Sequence, residues 1–156
     1  FKGCLYFGLM ITKDGPKVIE YNSRFGDPET QVVLPLLEGD LFEIMQATTE
    51  GTLDEVNFSF ADKCACCLVA ASEGYPVSYE KGFEITLPEE HDNIFIAGSR
   101  LEDGVQRTSG GRVLGVTEVA DTLQEAVDKA YATMKTVHFD NMYYRKDIGA
   151  KALEVK

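Results

Sequence analysis

Three polar residues with different chemistry occur at intervals of two near the N-terminal end of this 156-residue chain: Glu20, Asn22 and Arg24. Side chains two positions apart on a β-strand lie on the same face, so a strand here would present a carboxylate, an amide oxygen and a guanidinium in one row. Two such oxygens suit Mg²⁺, which takes few protein ligands and keeps water or phosphate oxygens for its remaining positions. The guanidinium could bind phosphate through two parallel hydrogen bonds.

A simpler interpretation of this row is a solvated strand face on which Glu20 and Arg24 form an incidental ion pair. A carboxylate, an amide and a guanidinium in one row are nevertheless unusual on a surface that serves structure alone. Spacing by itself leaves the metal site and the solvated face both open.

The row falls in the second strand of a predicted hairpin. Residues 3–12 and 17–22 are rich in β-forming side chains, and the sequence KDGP at 13–16 between them is typical of a turn. The sequence DPE that starts at Asp27 then predicts a helix start, with Asp27 as the N-cap. Pro35 is expected to end or bend that helix after barely two turns.

A second helix is predicted between Asp40 and Gly51, because Asp40 and Glu43 have the spacing of a capping box and glycine is typical after a helix. The composition changes near residues 52–63, and short strands follow. They are predicted at 64–72, 83–87, 94–98, 99–102, 105–108 and 112–119.

The C-terminal part ends in one long predicted helix and a tail. Thr122 and Glu125 form another capping box, and apolar residues follow at helical spacing as far as Val137. Beyond this helix, the tail ends in an Ala/Leu/Val piece that is strand-like. The pattern predicts an α+β chain in two parts, 1–57 and 58–156, the second a small antiparallel sheet with one long packing helix.

The four cysteines are interpreted as reduced side chains that fill a buried strand. Cys64, Cys66 and Cys67 lie in one apolar segment, and Cys4 is remote from them. A zinc site needs spaced pairs or added histidine ligands, which this arrangement lacks. The cysteines therefore indicate a reducing compartment, and we expect the protein to be cytoplasmic.

The charge of the chain excludes some classes of partner. With 15 Lys+Arg against 26 Asp+Glu, the formal net charge is −11, which repels a nucleic-acid backbone. No apolar run is long enough to span a membrane. Small phosphorylated molecules remain suitable ligands, because a few local cations and a divalent metal can outweigh the net charge.

The row of Glu, Asn and Arg after a hairpin resembles the metal-binding strand of the ATP-grasp ligases. The longer run RFGDPETQ at 24–31 resembles the phosphoribosylamine–glycine ligase family among them. Further matching blocks follow in the same order along nearly the whole chain. They are LMITKDGPKV at 9–18, GYP at 74–76, YEKG at 79–82, GGRVL at 110–114 and YRKDIG at 144–149.

The resemblance implies an ATP-dependent carbon–nitrogen ligase of purine biosynthesis. This family joins glycine to 5-phosphoribosylamine, through glycyl phosphate, while ATP becomes ADP and phosphate. Carried over by position, Glu20 and Asn22 would bind Mg²⁺ or Mn²⁺ that bridges the phosphates of ATP. Arg24 would be the catalytic cation that stabilises charge on the transferring phosphoryl group.

A basic pair near the C-terminus is a candidate for substrate binding. In related ligases such a pair binds a ribose 5-phosphate, which would assign that role to Arg145 and Lys146. The alternative is that the pair neutralises Asp147 or Glu154.

Three other residues are candidate substrate contacts. Gly110 and Gly111 form either a turn that lets the backbone approach the substrate closely or a bulge between two strands. Asp27 is either the N-cap noted above or a contact to the incoming amine.

The chain departs from the family pattern in two ways. Many ATP-grasp relatives carry another carboxylate twelve residues before the Glu of the metal strand, where this chain has Gly8. The Gly-rich phosphate loop and the ATP-covering lobe of the family are also missing. We therefore expect a C-terminal portion of the ligase that is inactive without the N-terminal part, and whose uncovered residues 1–57 could pair in a homodimer. The alternative function is a non-catalytic packing module derived from such a ligase.

Overall fold

The computed structural model describes residues 1–154, which form two compact units. The first comprises Phe1–Ala61 and the second begins at Asp62. Both contain helices and antiparallel strands, so the predicted α+β class is confirmed. The predicted domain division at 57/58 stays a prediction. No helix within residues 1–154 combines the length and apolar character needed to cross a membrane.

The first unit begins with the predicted hairpin, formed by β1 (Tyr6–Thr12) and β2 (Gly15–Asn22). Its turn depends on Gly15, whose φ of +91° is disfavoured for residues with a side chain. The register shifts between Gly8 and Leu9, because Gly8 pairs with Glu20 whereas Leu9 pairs with Val18. This bulge sets which β2 side chains share a face with Glu20.

The helix predicted to start at Asp27 begins later and is shorter, so the N-cap assigned to Asp27 is wrong. Helix α1 spans Thr30–Val33 with Glu29 at its N-cap position, and it makes no side-chain cap. The Thr30 N–H and hydroxyl both bond to the Gly26 carbonyl, which places a turn where the sequence predicts helix. The predicted bend at Pro35 is confirmed, because a 3₁₀ turn at Leu34–Leu36 follows the helix.

The second helix of this unit, α2 (Leu41–Glu50), is capped as predicted. The Asp40 carboxylate accepts hydrogen bonds from the N–H groups of Phe42 and Glu43, and Gly51 ends the helix with a φ of +89°. Two short strands flank α2 in sequence and pair with each other. They are β3 (Leu37–Glu38) and β4 (Ser59–Phe60).

The second unit is built on a four-stranded antiparallel sheet. Its order is β10-β5-β9-β6, formed by Met142–Tyr143, Cys64–Ser72, Arg112–Ala120 and Ile94–Ile96. A separate hairpin consists of β7 (Ser99–Glu102) and β8 (Val105–Thr108). The bounds of β5, β7 and β8 agree with the sequence prediction.

Helix α3 (Leu123–Met134) packs on this sheet through residues four apart. Ala126, Ala130 and Met134 are fully buried and lie in the same apolar cluster as Leu68 of β5 and Val116 of β9. The Thr122 hydroxyl caps the helix by accepting a hydrogen bond from the Glu125 N–H. The long packing helix of the prediction is thus confirmed.

Two predictions for this unit are wrong. The segment 83–87 is not a strand but forms single bridges, Glu84 to Arg107 and Thr86 to His138. The strand-like tail is instead a helix, α4 (Ala150–Glu154), consistent with the good helix propensity of alanine, lysine, leucine and glutamate. Residues 155 and 156, the end of that predicted piece, lie outside the described residues.

Candidate metal and phosphate site

The hairpin brings Glu20 and Asn22 together as the spacing predicts. Gly8 lies directly opposite Glu20, and Tyr6 lies directly opposite Asn22. Directly paired residues of an antiparallel ladder point to the same side, so these four residues form one face of the hairpin. We call it the Glu20 face. The Asn22 Nδ2 donates a hydrogen bond of 3.2 Å to the Glu20 Oε1.

The missing side chain at position 8 provides the space that Glu20 occupies. A Cβ atom at Gly8 would lie 2.9 Å from the Glu20 Cγ, too close for an unshifted contact. The space that a side chain at position 8 would need is therefore taken here by the Glu20 side chain. The Glu20 face supplies one carboxylate and one amide from β2.

Arg24 lies beyond the strand, because β2 ends at Asn22. Its Nη1 donates a hydrogen bond of 2.7 Å to the carbonyl of Phe25, and its side chain is exposed. Among residues 1–154 it forms no ion pair with Glu20, so the incidental pair of the simpler interpretation is not made. The predicted row of three is in fact a pair on a strand followed by a guanidinium on the next loop.

Two residues join this region that the sequence reasoning did not select. The Tyr6 hydroxyl donates a hydrogen bond of 3.1 Å to the Glu29 Oε1. This hydrogen bond, followed by burial and the charges of Glu29 and Glu20, raises the pKa of Tyr6 above its ordinary value. The hairpin register could have revealed Tyr6 opposite Asn22, whereas no sequence signal indicates that Glu29 folds back toward β1.

The oxygen atoms available as metal ligands on the Glu20 face fit Mg²⁺ better than a transition metal. Within residues 1–154, no group of three or more His, Cys, Asp or Glu side chains could bind a metal ion together. Glu20 and Asn22 provide two hard oxygen ligands, and Mg²⁺ commonly takes one or two carboxylates and completes its shell with water and phosphate oxygens. Because Gly8 has no side chain, the Glu20 side chain can lie across it on this face.

In the second unit, Gly110 and Gly111 lie against protein atoms. A Cβ atom at Gly110 would be 2.9 Å from the Gly98 Cα, and one at Gly111 would overlap the Tyr75 ring. The Ser72 N–H also donates a hydrogen bond of 2.8 Å to the Gly111 carbonyl. This packing matches the structural alternative for the two glycines, and their contact with substrate stays a prediction.

The basic pair near the C-terminus is engaged within the unit. The Arg145 Nε and Nη2 donate hydrogen bonds of 2.8 and 2.6 Å to the two oxygens of Asp147. This pairing raises the pKa of Arg145 and lowers the pKa of Asp147. The Lys146 Nζ lies 3.4 Å from the centre of the Tyr144 ring. Arg145 therefore pairs with Asp147, as the alternative interpretation stated, whereas Lys146 lies over an aromatic ring instead of pairing with an acid. Binding of a phosphate by the two residues stays a prediction.

An open cavity adjoins this basic pair. It has a volume of about 380 Å³ and is lined by Met142, Tyr143, Tyr144, Lys146 and Asp147. The loop beside it is fixed by Tyr131, whose hydroxyl donates to the Arg145 carbonyl at 3.0 Å and accepts from the Ile148 N–H at 3.1 Å. Of the basic pair, Lys146 lines this concave surface and Arg145 does not.

Two models of known families match the chain. A model described as "Phosphoribosylglycinamide synthetase, C domain" matches residues 65–151, and one described as "Phosphoribosylglycinamide synthetase, ATP-grasp (A) domain" matches residues 1–30. The chain belongs to the phosphoribosylglycinamide synthetase family. The resemblance found in the sequence motifs is thereby confirmed, and the ATP-grasp match includes the whole Glu20 face.

Individual members of this synthetase family are similar along almost the entire chain. A phosphoribosylamine–glycine ligase of Caldanaerobacter subterraneus subsp. tengcongensis is 51% identical over 152 residues, which is 96% of this chain and 36% of that protein. The bifunctional purine biosynthetic protein PUR2,5 of Pichia angusta is 53% identical over 159 residues, covering 99% of this chain and 20% of that protein.

A solved structure shows the same architecture. The crystal structure of phosphoribosylamine–glycine ligase from Thermotoga maritima matches with a TM-score of 0.81 and 41% identity, over 92% of this chain and 36% of that one. The chain thus spans about a third of the length of the single-function ligases that it matches.

Proposed function

We propose that this chain forms the C-terminal portion of a phosphoribosylamine–glycine ligase. The reaction joins glycine to 5-phosphoribosylamine, with ATP converted to ADP and phosphate through glycyl phosphate, in purine biosynthesis. The observation that carries the proposal is the Glu20 face, which lies within the segment matched by the ATP-grasp domain of this synthetase family. Identity near 50% to named ligases over almost the whole chain supports it.

In this proposal the Glu20 carboxylate and the Asn22 amide oxygen hold Mg²⁺ or Mn²⁺ beside the phosphates of ATP. The ion would neutralise charge on the transferring phosphoryl group. Arg24 has one of its donors on the Phe25 carbonyl, and its remaining N–H groups can contact a phosphate oxygen. Rate enhancement would come mainly from electrostatic positioning, since the mechanism needs no nucleophilic side chain from this chain.

The substrate contacts belong to the same proposal. Arg145 and Lys146 would bind the ribose 5-phosphate, which requires the Arg145 guanidinium to exchange the Asp147 carboxylate for a phosphate group of similar geometry. Gly110 and Gly111 would border the substrate, and Asp27 would contact the incoming amine. The four cysteines are present as thiols, as expected in a reducing compartment. We therefore also propose that the enzyme is cytoplasmic.

The experiment is a chimera. The 152-residue stretch of the Caldanaerobacter ligase that matches this chain is replaced by residues 1–156, and phosphate release is measured with ATP, Mg²⁺, glycine and phosphoribosylamine. We expect turnover in the chimera and none from residues 1–156 alone, because the family's phosphate loop lies outside them. Glu20→Gln in the chimera should lower kcat at least about a hundredfold if it holds the metal.

The matched control is Glu43→Gln, which removes the same charge from an exposed position on α2. It should leave turnover unchanged. A chimera that folds, binds no nucleotide and never turns over would contradict the ligase proposal and support a packing module. Turnover by residues 1–156 alone at the rate of the chimera would show that the metal and substrate contacts suffice without the other lobe.

A further inference from the structure

The hydrogen bond from Tyr6 to Glu29 joins the first residue of β1 to the start of α1. Tyr6 lies opposite Asn22 on the Glu20 face, so its side chain rises beside the two proposed metal ligands. The hydroxyl holds one oxygen of Glu29, which makes a second carboxylate part of the surroundings of this face.

Gly26 provides the space for this arrangement. It is buried, and a Cβ atom there would overlap the Glu29 carboxylate. The loop that carries Arg24 therefore folds closely around Glu29. The Glu29 carboxylate is thus held by the hydrogen bond from Tyr6 and by its close contact with Gly26. It makes no capping hydrogen bond to α1.

We propose that Glu29 is a positioning residue for the metal ion of Glu20 and Asn22, which it contacts through a water molecule carried by the ion. The inference rests on the function proposed above. Tyr6 is the residue that orients Glu29 for this contact.

Contact through water is favoured over direct ligation by two observations. One oxygen of Glu29 is already occupied by the Tyr6 hydroxyl. Its other oxygen lies against Gly26, where an added Cβ atom would overlap it. Mg²⁺ usually keeps several of its waters, and partners that hydrogen-bond to such groups typically change metal affinity about 10- to 100-fold.

The test measures binding of Mn²⁺ alone to the complete 156-residue chain by paramagnetic broadening of backbone NMR signals, which detects weak sites. In the unmodified chain we expect broadening centred on Glu20 and Asn22. Glu29→Gln should raise the Mn²⁺ Kd about tenfold. Tyr6→Phe, which removes one oxygen atom and keeps the ring, should raise it about threefold, as expected for one hydrogen bond.

A double variant separates positioning from general damage to the fold. If Tyr6 acts through Glu29, Tyr6→Phe combined with Glu29→Gln should bind Mn²⁺ as weakly as Glu29→Gln does alone. Two matched controls should leave the Kd unchanged: Tyr21→Phe, whose ring packs on Phe7, and Glu43→Gln on α2. If Glu29→Gln does not fold, the nearly isosteric Tyr6→Phe decides the question.

The results distinguish this inference from the proposed function. If Glu29→Gln and Tyr6→Phe bind Mn²⁺ as tightly as the controls while Glu20→Gln binds weakly, the role of Glu29 is wrong and the metal site stands. If Mn²⁺ does not broaden the signals of Glu20 and Asn22 in the unmodified chain, the metal site and the role of Glu29 are both wrong. The inference would also be overturned if Tyr21→Phe and Glu43→Gln weakened Mn²⁺ binding as much as Glu29→Gln does.

Discussion

The Thr133 hydroxyl of α3 donates a hydrogen bond of 2.6 Å to the carboxylate of Glu118 in β9. The same carboxylate oxygen accepts a hydrogen bond of 2.5 Å from the Asn93 amide, just before β6. Because one oxygen of its side chain accepts both hydrogen bonds, Glu118 links the helix, the strand beneath it and the neighbouring segment. The second unit thus has a polar connection between its layers in addition to its apolar core.

Replacing Thr133 with valine should lower the free energy of unfolding by about 1.5 kcal/mol, the usual contribution of a hydrogen bond to a charged group. Valine keeps the shape of threonine and leaves the Glu118 oxygen with one fewer donor. Urea unfolding followed by circular dichroism measures the effect. Thr133→Ser retains the hydroxyl and should recover part of the loss, whereas equal destabilisation by serine and valine would assign the effect to packing.

Tyr131→Phe should release the loop that carries Arg145. The substitution removes the donor to the Arg145 carbonyl and the acceptor for the Ile148 N–H, and water replaces both at a cost of about 1 kcal/mol. Hydrogen exchange at the Ile148 amide should become faster, which NMR detects directly. Tyr143→Phe is the control, because that side chain is 56% exposed and forms no described hydrogen bond. Unchanged exchange in Tyr131→Phe would show that the Tyr131 hydroxyl does not fix this loop.

The pairing of Arg145 with Asp147 should make a small part of the stability depend on acid pH. The hydrogen bond from Arg145 lowers the pKa of Asp147 below its ordinary value of 3.8. A lowered pKa in the folded state means that the contribution is complete above pH 3.8 and is lost as the pH falls through the folded value. Arg145→Gln should return the pKa of Asp147 toward 3.8, measured by NMR titration of its carboxyl carbon.

Arg145→Lys provides the comparison for this titration, since lysine keeps the charge and loses the two parallel hydrogen bonds. The pKa of Asp147 in this variant should lie between those of the unmodified chain and Arg145→Gln. If the unmodified chain and Arg145→Gln titrate alike, the pairing does not persist in solution. Arg145 would then be available to phosphate without exchanging a partner.

Gly111→Ala should destabilise the second unit by about 1–3 kcal/mol, because the added methyl group would overlap the Tyr75 ring. Thermal unfolding measures the loss. The double variant Tyr75→Ala, Gly111→Ala should be less destabilised than the sum of the two single variants, since the overlap is then removed. Additive losses would show that the destabilisation by Gly111→Ala does not come from overlap with the Tyr75 ring.

Local signals predicted the elements whose ends are set by caps or turns. Asp40 and Thr122 cap their helices as expected, and the ranges predicted for β7 and β8 are the ones observed. The prediction of a strand at 83–87 is wrong for a physical reason. Phe83, Ile85 and Leu87 point inward in alternation, but the segment pairs through single bridges instead of a ladder.

The candidate site was predictable to the extent that it depends on one strand. Glu20 and Asn22 are neighbours because they lie two positions apart on β2, which spacing alone reveals. Arg24 lies past the end of β2, and Glu29 turns back to a residue 23 positions earlier. Neither the end of the strand nor this long-range hydrogen bond leaves a periodic signal in the sequence.

The close approach of Glu20 to Gly8 has a consequence for comparison across the wider superfamily. An aspartate or glutamate at position 8 would not simply add an acid, because its first carbon atom would displace the Glu20 side chain. Relatives that carry acids at both positions must therefore hold the glutamate that corresponds to Glu20 in a different side-chain conformation. In this chain, Gly8→Asp would move the Glu20 side chain away from the place that it now occupies.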